Sequence, residues 1–199
     1  MAKYYYNGNA IVTPFTVISN KPVFASDTVS LKHIRSQQSA QRWELQFNII
    51  TNDNVANTLI SVLDEMEAVS TMIMPQLPEV DAAATNTGVA TLSVLGEVND
   101  SIISLDTSNC TGLLPKGSFV KFGTHSKVYI VKSDVNMTGA TASMNIYPQL
   151  TVGSIVGTSL QTGASVFLPY YRDVNTLSGV RYMDGVLADV GPTTVIEAL

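Results

Sequence analysis

The plainest pattern in the chain is an alternation over residues 43–49, where Trp43, Leu45, Phe47 and Ile49 are interleaved with Glu44, Gln46 and Asn48. Period two with one polar side marks a strand that is dry on one face and wet on the other. The period then lengthens. Val55, Leu59, Val62, Leu63, Met66 and Val69 recur at three- and four-residue spacing, which predicts an amphipathic helix over about 52–69, capped by Asn52 or Asp53. Asp64, Glu65 and Glu67 fall on or near its other face, where solvent is expected to keep their charges ordinary. A short strand at 71–74 follows, ended by the segment from Pro75 to Pro78.

On either side of this block the apolar runs are shorter. Residues 1–40 read as strands broken by turns, with Asn7-Gly8 a hairpin signal between 4–6 and 10–12. Pro14 and Pro22 leave extended pieces at 15–18 and 23–24, expected at a sheet edge or in an arm. From about residue 79, alternating runs at 89–95, 101–105, 118–122, 127–132 and 141–147 are separated by Asn99-Asp100, Pro115-Lys116-Gly117 and Thr138-Gly139 turns. Five strands at that spacing fit a small barrel, with an OB-like barrel one candidate. Near the C-terminus, 178–183 and 186–190 flank Asp184-Gly185, and Gly191-Pro192 precedes a last strand at 193–199. The expected fold is therefore mainly β: a barrel- or sandwich-like host domain with one α-helix (1–77 plus 164–199) and an inserted OB-like small β-barrel (78–163).

Composition changes the picture in one respect. Of 199 residues 45% are hydrophobic, enough for a sizeable core, but only 14% are charged, against roughly 25% in an ordinary soluble domain. Free monomers keep themselves soluble with surface charge, whereas the centre of a protein interface is depleted of it. The low value thus points to a surface covered by neighbours. A net charge of −5 argues against binding driven by phosphate neutralisation. Cys110 is the single cysteine, so neither an intrachain disulfide nor a thiolate zinc cluster is expected. No run approaches the ~18 apolar residues of a membrane span, and no membrane insertion is expected.

Candidate chemistry is sparse. His33 and His125 are the two histidines, and no Gly-x-Ser-x-Gly elbow, metal-ligand spacing or glycine-rich phosphate loop accompanies them. Asp134, Asp173, Asp184 and Asp189 sit in or near expected turns or strands with nothing to pair them. No catalytic, cofactor or metal residue is assigned, and an enzyme ranks last among the readings. Lys116, Lys121, Lys127 and Lys132 interleave with Phe119, Phe122 and Tyr129, as in barrels that stack single-stranded nucleic acid on aromatic rings. Strand parity weakens that idea, because Lys132 lies opposite Lys127 and Tyr129.

Two stretches carry a family likeness. Residues 112–131 read GLLPKGSFVKFGTHSKVYIV and residues 144–150 read MNIYPQL. With Gly117 in a turn before a strand, then Lys127-Val128-Tyr129 and Tyr147-Pro148 followed by Leu150, they resemble the distal tail proteins of long-tailed bacteriophages of the siphophage type. The order of elements is similar too: a strand bearing Gln41-Arg42-Trp43-Glu44, a helix, then Pro75 and Gln76 before the inserted segment. The likeness covers 40–199 in layout, is specific only within 112–150, and does not extend to the first 40 residues.

The resemblance implies a structural virion protein whose host domains form a homohexameric ring at the tail tip or baseplate. Its partners would be further copies of itself, the tail tube protein and the tip or hub protein. DNA would pass through the channel without specific binding. The place implied is the virion tail, assembled in the host bacterial cytoplasm. Two other readings stay open: another component of the tail-tube fold, such as a tube or terminator protein, and a binding module that uses the OB-like part for host saccharide or nucleic acid.

Overall fold

The computed structural model describes residues 5–6, 9–27, 33–37, 41–51, 60, 64–65, 67–173, 181–183 and 187–199. The alternation at 43–49 lies in a strand, β5 (Arg42–Thr51), within a seven-stranded antiparallel sheet. The order is β1 (Tyr5–Tyr6), β2 (Asn9–Asn20), β5, β17 (Leu187–Glu197), β15 (Phe167–Arg172) and β6 (Ser70–Ile73), with β16 (Arg181–Met183) paired to β17. Trp43, Leu45 and Phe47 are buried while Arg42 and Gln46 are exposed, as period two requires. The Asn7-Gly8 and Asp184-Gly185 turns lie outside the described residues, although Tyr6 faces Asn9 and Met183 faces Leu187 across them. A separate ladder joins β3 (Val23–Asp27) to β4 (His33–Gln37).

Two prolines expected to break strands do not. β2 runs through Pro14 and β17 runs through Pro192, each with a register shift against β5, between Val12 and Thr16 and between Asp189 and Gly191. Pro14 is among the residues that its bulge leaves out of the ladder, where a residue without an N–H is tolerated, whereas Pro192 keeps its place opposite Asn48, two residues past the bulge at Val190. Gly191 at φ 73° supplies the left-handed conformation there.

The expected helix over 52–69 falls mostly outside the described residues. Ile60, Asp64, Glu65 and Glu67 are helical, and the Ala68 N–H donates to the Asp64 carbonyl at 3.2 Å. A six-residue helix that the periodicity does not signal, α1 (Pro78–Ala83), opens with proline at its first turn.

The middle of the chain forms a six-stranded sheet in the order β14 (Leu160–Thr162), β10 (Phe119–Phe122), β11 (Val128–Val131), β13 (Thr141–Tyr147), β8 (Ile102–Asp106) and β7 (Thr91–Leu92). A two-stranded ladder, β9 (Leu113–Leu114) with β12 (Val135–Asn136), lies beside it. Both faces of β10 and β11 are dry. Val120, Phe122, Tyr129 and Val131 join Leu92, Leu105, Met144 and Ile146 in one core. Phe119 and Val128 point the other way, into a second core with Trp43, Leu45, Leu168 and Val195 of the seven-stranded sheet.

That packing corrects the expected architecture, because no sheet closes into a barrel. In the six-stranded sheet, β7 is only two residues long, and the ends meet at one isolated bridge, Thr91 to Ser159, instead of a ladder. The barrel- or sandwich-like host is likewise replaced by one open sheet. Its dry face is covered by strands of the middle segment, and among the described residues no ladder joins its edge strands β1 and β6.

Candidate functional site

The seam between the two sheets is polar at its centre. β17 carries Glu197 and the entry to β11 carries Lys127, and burial leaves these two side chains 0% and 1% exposed. They form a salt bridge through Glu197 Oε2. The same oxygen accepts the Trp43 N–H at 3.1 Å, and Oε1 accepts the Val128 N–H at 2.9 Å. Lys127 also donates to the Gln41 carbonyl at 2.7 Å. Trp43 completes the seam: its indole N–H donates to the Val128 carbonyl at 2.7 Å, its ring meets Phe119 edge-on at 5.5 Å, and Lys127 Nζ lies 6.0 Å from its centroid. Burial lowers the Lys127 pKa and the Glu197 charge opposes it. The resemblance residues Lys127 and Val128 thus fasten one sheet to the other.

A second buried network departs from expectation further. Glu65, placed by periodicity on the wet face, is 4% exposed, whereas Asp64 and Glu67 are exposed. Tyr170 OH donates to Glu65 Oε1 at 2.9 Å, and Arg172 Nε lies 3.5 Å from Oε2. Burial raises the carboxyl from 4.5 to about 7, against the opposing effects of Tyr170 and Arg172. A carboxyl that titrates near neutrality has the right pKa for acid–base work. The tyrosine and the arginine that engage it belong to one strand, β15.

His125 is buried at the β10–β11 turn, its Nδ1 3.0 Å from Tyr129 OH, and that hydroxyl lies 3.3 Å from Thr151 Oγ1. Burial lowers its pKa. Burial also pushes the Cys110 thiol up. His33 opens β4, and Asp184 lies outside the described residues. Asp134 accepts the Lys116 N–H at 2.7 Å and so holds a turn. The strand backbone fixes Asp173 and Asp189, Asp173 through its N–H to the Thr194 carbonyl. The aromatic members of the basic stretch are inaccessible: Phe119, Phe122 and Tyr129 are 2%, 0% and 0% exposed.

A cleft of about 190 Å³ lies between α1 and the six-stranded sheet, lined among others by Gln76, Asp81, Asn86, Ser118 and Thr162. It is smaller than the ~300 Å³ lower bound of ordinary ligand pockets. Most of its polar groups already have partners. Gln76 pairs with both backbone groups of Phe119, Asn86 donates to Thr162, and Ser118 donates to the Pro115 carbonyl. Among the described residues no three His, Cys, Asp or Glu side chains are placed to hold a metal ion, and no helix is long and apolar enough to cross a membrane.

No family model matches this chain, and no curated protein matches it.

What the surface does offer is apolar. Residues 93–100, after β7, and 151–159, after β13, form two loops clasped by reciprocal hydrogen bonds between Gly96 and Ser154, each 2.9 Å. They present Val94, Leu95, Val98, Val152, Ile155 and Val156, each between 53% and 67% exposed. A second apolar strip lies on the outer face of the seven-stranded sheet, where Ile73 and Phe167, 44% and 45% exposed, are direct cross-strand partners. The sequence hid the first of these, since Val94 and Leu95 belong to a run that reads as the end of a strand.

Proposed function

We propose that this chain is a structural, self-assembling subunit of the distal tail type, a ring component of a long-tailed bacteriophage tail. The observation that carries the reading is the inversion of the usual surface: a chain with 14% charged residues exposes six branched aliphatics on one pair of loops. Exposed aliphatics gathered on one clasped pair of loops suit a site where another surface docks. The resemblance within 112–150 gives the assembly its identity. Its motif residues serve packing: Gly117 holds a turn at φ 87°, Lys127 and Val128 fasten the sheets, and Leu150 is buried beneath the loops.

In this reading six copies close a ring between the tail tube and the tip hub, assembled in the bacterial cytoplasm and carried in the virion. DNA passes through without a specific contact. The reading of the middle segment as a single-strand binder lacks its stacking platform, because the three candidate rings are inside the core. Mass photometry and negative-stain imaging of the purified chain, alone and with tail tube and hub proteins, test the proposal. Six-fold rings are expected. A chain that stays monomeric at every concentration and joins no tail assembly would refute it.

A further inference from the structure

The clasped loops are built as a fixed surface. Besides the Gly96–Ser154 pair, Leu92 N–H donates to the Thr158 carbonyl and Gly157 N–H to the Leu92 carbonyl, both at 2.9 Å, and Asn99 N–H donates to the Leu150 carbonyl at 2.8 Å. Gly96 is buried so closely that a Cβ there would meet Leu150 Cδ1 at 2.8 Å. The backbone is therefore tied down and the aliphatic side chains are left outside. Six such side chains expose on the order of 600 Å², the top of the range for the largest patch on a monomer. That approaches the ~800 Å² which each partner contributes to a stable interface.

The composition of the loops decides what can sit on them. They contain no lysine, arginine or aromatic residue, and their charges are Glu97 and Asp100. A lipid surface is a poor fit, because membrane-binding patches carry basic residues and tryptophan or tyrosine anchors. Pairing the loops with the same loops of another copy would bring four carboxylates together. A better complement lies elsewhere on the same chain. The Ile73–Phe167 pair continues through Pro169, half-buried on the same face, and Lys121 Nζ reaches the Phe167 carbonyl at 3.2 Å beside it. Arg42, Glu44 and Asp173, together one positive and two negative charges, lie toward the far end of this face near Tyr171, away from Lys121 and Phe167.

The geometry points to a heterologous contact in which the clasped loops of one copy dock on the Ile73–Phe167 strip of a second copy, with Glu97 and Asp100 facing Lys121. This rests on the self-assembly reading above and specifies its interface. A contact between two different patches leaves one of each free on every dimer, so it closes a ring or grows a chain.

Two double variants of the full chain test it: Leu95→Glu with Ile155→Glu on the loops, and Ile73→Thr with Phe167→Thr on the strip. The four positions are exposed, and threonine suits a strand, so the Trp43 emission and the far-UV spectrum should stay native. Sedimentation velocity and mass photometry should show self-association of the parent chain weakened at least tenfold in each variant. An equimolar mixture of the two variants should yield dimers and nothing larger, since one intact contact remains between unlike variants. If the parent assembles and both variants assemble equally well, this contact is wrong while the ring reading stands. Loss in the loop variant alone, with the strip variant assembling like the parent, overturns it in favour of loop-to-loop pairing. Loop-dependent flotation with vesicles of neutral or anionic phospholipid overturns it in favour of a membrane. A parent chain that is monomeric throughout removes both the contact and the self-assembly beneath it.

Discussion

Replacing Glu197 by alanine would leave an ammonium and two backbone N–H groups buried at the seam without their carboxylate. The donors concerned are Lys127 Nζ, the Trp43 N–H and the Val128 N–H, and Lys127 keeps only the Gln41 carbonyl. Breaking a buried ion pair from one side costs about 3–5 kcal/mol. Each orphaned backbone N–H adds to that, ~1–3 kcal/mol where water cannot reach it. These terms overlap, because one carboxylate serves all three donors, so the expected loss is about 5 kcal/mol. For a chain of this length that is a fall of roughly 10–20 °C in Tm. Lys127→Met is milder, at about 2–3 kcal/mol, because the stranded carboxylate still accepts two N–H bonds. In a double-mutant cycle with Glu197→Gln, the combined loss should fall short of the sum by about 2 kcal/mol.

The protein carries its own reporter for this measurement. Trp43 is the single tryptophan, and its indole lies in the perturbed seam. Urea unfolding followed by its emission therefore reads the site and the global transition together. A loss below about 1 kcal/mol for Glu197→Ala would mean that water reaches the pair, since exposed ion pairs are worth no more than that. The two sheets would then not be fastened as argued.

Three further outcomes follow from the same geometry. The folded chain holds a proton on Glu65 up to about pH 7 where a free carboxyl lets go near 4.5, so folding takes up a proton in between and stability falls as pH rises through that window. The fall should be about 1–2 kcal/mol after allowance for solvent screening. Urea midpoints at pH 5 and pH 8 should differ in the parent and not in Glu65→Gln, and equal pH dependence in both would refute the assignment. Gly112→Ala should cost about 3 kcal/mol or more, because the residue sits at φ 88° and a Cβ would lie 2.2 Å from the Thr85 carbonyl oxygen; thermal unfolding checks this, and a loss under 1 kcal/mol contradicts it. Single-stranded oligonucleotides should show no salt-dependent binding, because Phe119, Phe122 and Tyr129 are core residues; a fluorescence-anisotropy titration with a finite salt slope would count against that placement.

What the sequence revealed depended on whether a segment has two unlike faces. Residues 43–49 were legible because one side of β5 is dry and the other wet. β10 and β11 bury both sides, so Phe119 and Val120, or Val128 and Tyr129, sit next to each other as apolar neighbours and parity no longer says where a flanking lysine points. β15 escapes notice for a different reason: Leu168, Tyr170 and Arg172 are buried and Phe167, Pro169 and Tyr171 lie on the outer face, so its two faces differ in exposure but not in polarity. With β15 unseen, nothing could show that Glu65 would find Tyr170 and Arg172, about a hundred positions away. Pro14 and Pro192 were read as breaks because a bulge is a property of two strands, and only one of them is in view at a time.

The errors share a direction, and it bears on function. Glu65, expected on a wet face, is inside, as are Lys127, Glu197 and Arg172, while Val94 and Leu95, expected in a strand, are at the surface, as are Ile155 and Val156. A buried ion pair contributes little net stability but is costly to mismatch, so these pairs fix which strand meets which and hold the two sheets in one relation. A surface left apolar is disfavoured in an isolated monomer, and the disfavour is relieved only when another surface covers it. Two hydrophobic cores fill the inside, the polar pairs fix how the sheets meet, and a further set of aliphatic side chains is left exposed. None of Lys127, Glu197, Glu65 and Arg172 lines the cleft beside α1. The cleft beside α1 instead holds Gln76, Asn86 and Ser118 already engaged with Phe119, Thr162 and Pro115. Under the proposed reading, a subunit that holds its place among copies of itself has a use for both features: a fastened seam inside and exposed aliphatic loops outside.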